Sequence, residues 1–113
     1  MSVDFPRWGK CEYSGEVNSL DQPHGYGAAV DSDGYRREGT YQDGSLVTGK
    51  WFRPDGFLYY EGECKGGRRH GTGTGFHRGG SVGTGRWEEN SLKDGTRTYP
   101  DGRVVKKVNG ERV

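Results

Sequence analysis

The chain has 113 residues, room for one domain, with a formal net charge of +1 that argues against disorder and against a strongly basic nucleic-acid binder. Leu, Val and Phe total only 17 residues and Ile is absent, whereas there are seven Tyr, three Trp and 22 Gly, a composition suited to a thin sheet rather than a thick closed core. The glycines lack the every-third-residue period of collagen, and no apolar run approaches the roughly 18 residues of a membrane-spanning helix.

Residues 1–12 (MSVDFPRWGKCE) read as an N-terminal cap, with Phe5 and Trp8 free to cover the first hairpin. A first unit, about 13–36, begins YSGEV and continues PHGYG; a second, about 37–59, runs REGTYQDG and then LVTGKWFRPDG. The third, about 60–82, is the most complete. Tyr60, Gly62 and Cys64 alternate with Glu61, Glu63 and Lys65, the period of two of a half-buried strand. Gly66-Gly67 supplies a turn, His70-Gly71-Thr72-Gly73 opens the return strand, and Gly79-Gly80 closes the unit. A fourth unit, about 83–104, begins GTGRWEEN and ends at Pro100-Asp101-Gly102, and 105–113 reads as a last strand and tail.

Two landmarks recur independently. The central strand glycine falls at Gly15, Gly39, Gly62 and Gly85, and the turn glycine at Gly34, Gly56, Gly80 and Gly102, both with a period near 23. The pattern Tyr-x-Gly-x-(aromatic)-x-x-Gly-x-x-His-Gly-x-Gly followed by Pro-Asp-Gly resembles the MORN repeat (membrane occupation and recognition nexus). Residues 60–73 match it except at Cys64, where the family usually has Trp; Arg37, Val17, Thr48-Gly49-Lys50 and Gly83 depart from it. The resemblance implies an all-β fold: a single-layer sheet of antiparallel β-hairpins stacked into an open solenoid without helices of note. The residues agree, since a lone hairpin is marginal in water and glycine at fixed same-face positions needs a steric reason. Room for an aromatic ring over bare backbone is the reason expected here.

On this reading one face is a trough lined by Tyr13, Tyr41, Trp51, Tyr60, Trp87 and Tyr99. Tyr41, Trp51, Tyr60, Trp87 and Tyr99 are the candidate anchors for a partner protein, a helix or an extended peptide; the alternative is that they only pack within the sheet. Lys65, Arg68, Arg69 and Arg78 gather around the third turn as candidate contacts for anionic lipid, the function of a peripheral membrane adaptor. Residues 1–56 carry a charge of −3 and residues 57–113 one of +4, a polarity that suggests self-association. Pro6 and Lys106-Lys107 suit protection of the sheet edges.

No catalytic site is expected. Gly79-Gly80-Ser81-Val82-Gly83 fits G-x-S-x-G, but that motif needs a strand-to-helix corner in an α/β sheet. Gly71 to Gly75 lacks the Lys-Ser/Thr and the helix of a phosphate loop. His24 and His70 occupy one repeat position and read as structural, and no pair of ligands completes a zinc site, so neither metal nor cofactor is expected. Cys11 and Cys64 lie more than two units apart, too far for a disulfide in a solenoid. Two free thiols and no signal-peptide pattern over residues 1–23 lead to the expectation of an intracellular protein, cytoplasmic or on the cytoplasmic side of an assembly.

Overall fold

The computed structural model describes residues 1–113. Eleven strands follow one another: β1 Ser2–Phe5, β2 Gly9–Val17, β3 Pro23–Asp31, β4 Arg36–Gln42, β5 Ser45–Phe52, β6 Leu58–Lys65, β7 Arg68–Phe76, β8 Val82–Glu88, β9 Ser91–Thr98, β10 Val104–Val108 and β11 Glu111–Arg112. They form one antiparallel sheet whose spatial order is the chain order, open at β1 and at β11. The fold is all-β and helix-free, as the sequence implies. Ten inter-strand spacings of about 4.8 Å give about 48 Å, and the longest extent of the molecule is 47 Å.

The period near 23 becomes a register. Gly15, Gly27, Gly39, Gly49, Gly62, Gly73, Gly85 and Gly95 are successive cross-strand partners, one from each of β2 to β9, forming a glycine row across the sheet. Two steric causes hold it. At Gly73 an added Cβ would stand 2.6 and 2.7 Å from Cζ and Cε1 of Tyr60, and Tyr13 covers Gly27 in the same way. This is the expected ring over bare backbone. At Gly62 the obstacle is different: φ is +152° and a Cβ would meet the backbone of β7, with the Thr72 carbonyl oxygen at 2.6 Å. Gly39 and Gly85 are likewise crowded by neighbouring main chain. Rings therefore account for part of the row and close strand approach for the rest.

The turn glycines mark four copies of one loop. In residues 31–35, 53–57, 77–81 and 99–103 the first residue exchanges backbone bonds with the fourth and fifth. Gly34, Gly56, Gly80 and Gly102 donate to Asp31, Arg53, His77 and Tyr99, which in turn donate to Tyr35, Phe57, Ser81 and Arg103. The four glycines hold φ between +91° and +97°, a conformation L side chains rarely adopt. At the opposite end Gly66 and Gly67 (φ +59° and +79°) close the third hairpin in two residues, as read from the sequence.

One face of the sheet carries the core: Tyr13, Tyr41, Leu46, Trp51, Tyr60, Trp87 and Leu92, with Phe5, Cys11, Ala29 and Cys64. The rings meet edge-on along the sheet, Tyr13–Tyr41 at 5.2 Å, Trp51–Tyr60 at 5.6 Å and Tyr60–Trp87 at 5.5 Å between centroids. A single layer buries such rings only if something lies over them. The tip of the β1–β2 hairpin does so: Phe5 stands against Tyr41, Trp8 against Trp51 at 5.7 Å, and the Trp8 indole N–H donates to the Gly67 carbonyl at 3.0 Å. The N-terminal cap thus reaches well past the first hairpin. Sheet twist explains it, since about 20–25° per strand turns β2 nearly perpendicular to β6 and aims its tip across the core face.

Candidate functional site

The anchors expected in an open trough occupy the core instead. Tyr41, Trp51, Tyr60 and Trp87 are only 1, 4, 0 and 3% exposed. Their polar atoms are used internally: the Tyr41 hydroxyl donates to the Arg37 carbonyl, the Tyr60 hydroxyl to that of Glu63, and the Trp87 indole to that of Gly73. Burial pushes the Tyr41 and Tyr60 phenols well above their ordinary value. A thin sheet has no other large side chains with which to exclude water, so these rings pack within it. Tyr99 stands apart, half-buried at the start of the last loop with the Arg103 guanidinium 4.8 Å above its ring.

The basic group divides. Lys65, Arg68 and Arg69 lie at the β6–β7 turn, whereas Arg78 lies at the far end of β7, in the next loop. A nine-residue strand, about 27 Å of backbone, separates them, so they do not form one patch. Arg68 pairs with Glu89 and Arg78 with Asp55. Arg69 lies over the Trp87 ring and donates to the Asn90 carbonyl at 2.9 Å. Lys65 is exposed and forms no ion pair with the rest of the chain.

The histidine reading holds at His24, whose Nδ1 accepts from the Asp43 backbone N–H at 3.1 Å. Both thiols are free and buried. The Trp51 indole N–H donates to Cys64 Sγ at 3.2 Å, and burial pushes the Cys64 thiol up to about 11.

What sequence reasoning missed is a run of arginines on the core face. One lane across the strands reads Ala29, Arg37, Trp51, Tyr60, Gly75, Gly83, Arg97. Arg37, in the place of the repeat's leading Tyr, is itself buried at 8% exposure. It survives there because Asp31, the first residue of the first loop, pairs with it at 3.1 Å, and because the Trp8 and Trp51 rings flank its guanidinium. The equivalent residue of the next loop is Arg53, lying over Tyr59; that of the third is His77; that of the fourth is Tyr99. Arg97 lies over Gly83, where an added Cβ would stand 3.0 Å from its Nη2. Arg37 Nε, Arg53 Nε and Arg97 Nη1 are buried without a hydrogen-bond partner, but only Arg37 has an acid paired with its guanidinium. The charges crowd one another: burial, then Arg53 and Arg97, pull Arg69 below its ordinary value, and partial desolvation with Arg97, Arg69 and Arg53 does the same to His77. Aligning the loops on their first position, 31, 53, 77 and 99, shows only that the acid of Asp31 gives way to Arg53, His77 and Tyr99; Arg37, Arg69 and Arg97 join them only through the strand register.

The opposite face is polar. Its largest concavity, a shallow groove of about 550 Å³, has the glycine row for a floor and Tyr26, Glu38, Lys50, Glu61 and threonines for walls. Arg86 bridges Glu88 and Asp94 on this face.

These features define an open, single-layer sheet of repeated β-hairpins with a capped half and an uncapped, arginine-bearing half of the core face. No family model matches the chain, and no curated protein matches it.

Proposed function

We propose that the protein is a non-catalytic interaction module of the MORN-repeat kind, a scaffold or small subunit that docks a segment of another protein on the uncapped part of its core face. One observation carries the reading. Over β4 to β6 the face is covered by the chain's own β1–β2 tip, anchored by Trp8, while over β7 to β9 no strand lies above it and the cover consists of side chains alone, Arg69 over Trp87 and Arg97 over Gly83. A partner helix or extended peptide would continue over β6 to β9 what the cap begins. Tyr59 and Tyr99, half-buried ring surfaces, are the aromatic contacts available to it. The position of Tyr41, Trp51, Tyr60 and Trp87 beneath the surface makes them supports of that face.

Photo-crosslinking tests this. A benzoylphenylalanine at position 99 should trap a discrete protein that the same group at position 26, on the opposite face, does not. Equal capture from both positions, or capture from position 26 alone, would refute the assignment of the face. The membrane-adaptor alternative is tested by co-sedimentation with anionic vesicles: loss of binding in an Arg68→Glu, Arg69→Glu variant would put lipid ahead of protein.

A further inference from the structure

We infer that Arg53 and Arg97, flanked by Arg69 and His77, form a carboxylate-binding site that takes an acidic side chain of the docked partner segment. The inference rests on the docking role proposed above and names the chemistry of the partner.

The repeat supplies its own comparison. In the first loop the leading residue is Asp31, and it neutralises Arg37, the arginine beside it on the core face, at 3.1 Å. At the same loop position further along the chain stand Arg53, His77 and Tyr99, and none of them is an acid. The arginine of that later stretch, Arg97, therefore has no loop acid to pair with, and its charge acts on His77 instead. Nearby acids are engaged elsewhere, Asp55 with Arg78, Asp101 with Arg103, and Glu89 with Arg68.

A guanidinium nitrogen buried without a partner costs stability, and like charges in a half-buried face add to that cost. The chain nevertheless holds three such nitrogens: Arg37 Nε belongs to a guanidinium already paired with Asp31, whereas those of Arg53 and Arg97 have no acid beside them, one guanidinium lying over the Tyr59 ring at 4.9 Å and the other over Gly83. Half-buried guanidinium groups with no acid beside them suit a fork-shaped oxyanion. The Asp31–Arg37 pair favours carboxylate over phosphate, because one unit away the same scaffold already uses a carboxylate. An acidic partner segment crossing β6 to β9 would place one there.

Fluorescence anisotropy of a labelled hexaglutamate peptide at low salt reads the site directly, with a labelled hexalysine as control. The intact chain should bind hexaglutamate and not hexalysine. Arg53→Gln and Arg97→Gln should each weaken it about tenfold or more, the usual consequence of deleting a hydrogen bond to a charged group. Lys50→Gln, the same charge change on the opposite face, should weaken it less than twofold. His77→Asp, which restores the acid of the first loop, should abolish binding and raise the melting temperature, so loss of binding cannot be ascribed to misfolding. Equal weakening by Lys50→Gln and Arg97→Gln would reduce the effect to overall charge and overturn the inference. No binding of hexaglutamate would overturn it as well. So would inorganic phosphate, or phosphatidylcholine vesicles containing phosphatidylserine, binding through Arg97 when hexaglutamate does not. The two proposals fail separately. Crosslinking from position 99 without hexaglutamate binding removes only the carboxylate, and hexaglutamate binding without crosslinking removes only the docking role.

Discussion

Replacing Gly73 by alanine tests the steric origin of the glycine row at a position where backbone conformation does not interfere. The new Cβ would fall 2.6 Å from Tyr60 Cζ and 2.7 Å from Cε1, distances real Cβ contacts do not show. Tyr60 is 0% exposed and wedged between Trp51 and Trp87, so its ring has nowhere to retreat without shifting two others. Overpacking of this kind costs about 1–3 kcal/mol. Displacing the hydroxyl from the Glu63 carbonyl, now 2.6 Å away, adds about 0.5–1.5 kcal/mol. Alanine's better strand energetics return about 0.5–1 kcal/mol, leaving a net loss of about 0.5–4 kcal/mol centred near 2 kcal/mol. At about 2.1 cal/mol/K per residue, a chain of 113 residues loses about 4 °C per kcal/mol, so the melting temperature should fall by about 8 °C at the centre of that range. Urea unfolding of the intact protein, Gly73→Ala, Tyr60→Phe and the double variant closes a double-mutant cycle. Removing the hydroxyl should relieve part of the clash, so the double variant should lose less than the sum of the single losses. Gly79→Ala is the control: nothing lies within 4 Å of its Cβ and its φ is not positive, so it should be neutral or slightly stabilising. A Gly73→Ala loss under about 0.5 kcal/mol, or strict additivity with Tyr60→Phe, would refute the ring-over-glycine reasoning.

Other measurements reach the cap, the buried pair and the thiols. Asp31→Asn keeps the carbonyl oxygen that caps its own loop but strands Arg37 as a buried unpaired charge, and should cost about 3–5 kcal/mol in urea unfolding; Asp31→Asn combined with Arg37→Tyr, the repeat's usual residue, should recover most of it. Trp8→Ala removes the bond to Gly67 and the contact with Trp51, and should both lower the melting temperature and open Cys64 to thiol reagents. In the intact protein, with Cys64 buried and its thiol pushed up to about 11, neither cysteine should react at pH 8 until the chain unfolds. His77 is held below its ordinary value by partial desolvation and by Arg97, Arg69 and Arg53. The folded state therefore takes up its proton less readily than the unfolded chain, so this contribution is harmless above the unfolded value of about 6.5 and is lost as pH falls through it. Unfolding between pH 7.5 and 5.5 should show declining stability that His77→Gln flattens.

The fold was legible because its cause is local and repeated. A two-residue alternation, Gly66-Gly67 between strands and two sets of glycines with a common period needed no long-range information to read as stacked hairpins. The cap was legible only in part. Phe5 and Trp8 announce a cover, but where it lands depends on twist accumulated over several strands, and no spacing encodes that. The site resisted reading for a related reason. Aromatic residues at strand positions read equally well as a binding trough or as the core of a thin sheet; burial decides between them, and burial here depends on the cap. Arg68 and Arg78 are near neighbours in sequence yet stand at opposite ends of β7, so a count of nearby charges made one patch out of two.

Degenerate repeats carry most of the individuality of this chain, and their departures are compensated unevenly. Arg37 breaks the pattern by putting a cation where a Tyr ring belongs, yet Asp31 and the two flanking indoles neutralise and cover its charge within the chain, leaving only Nε without a hydrogen bond. Arg97 breaks the pattern at the corresponding lane position of β9 with no acid beside it and no cap above it. A sheet selected for stability alone would replace such a residue, because an isolated chain gains from its removal. The prediction that distinguishes the two departures is one of opposite sign. Neutralising Arg37 with Asp31 left in place should destabilise the protein, since it leaves a buried carboxylate unpaired, whereas Arg97→Gln should leave it as stable or more so while removing its response to hexaglutamate. Loss of stability in both variants would make Arg97 an ordinary packing residue and leave the uncapped half of the face without a recognisable ligand.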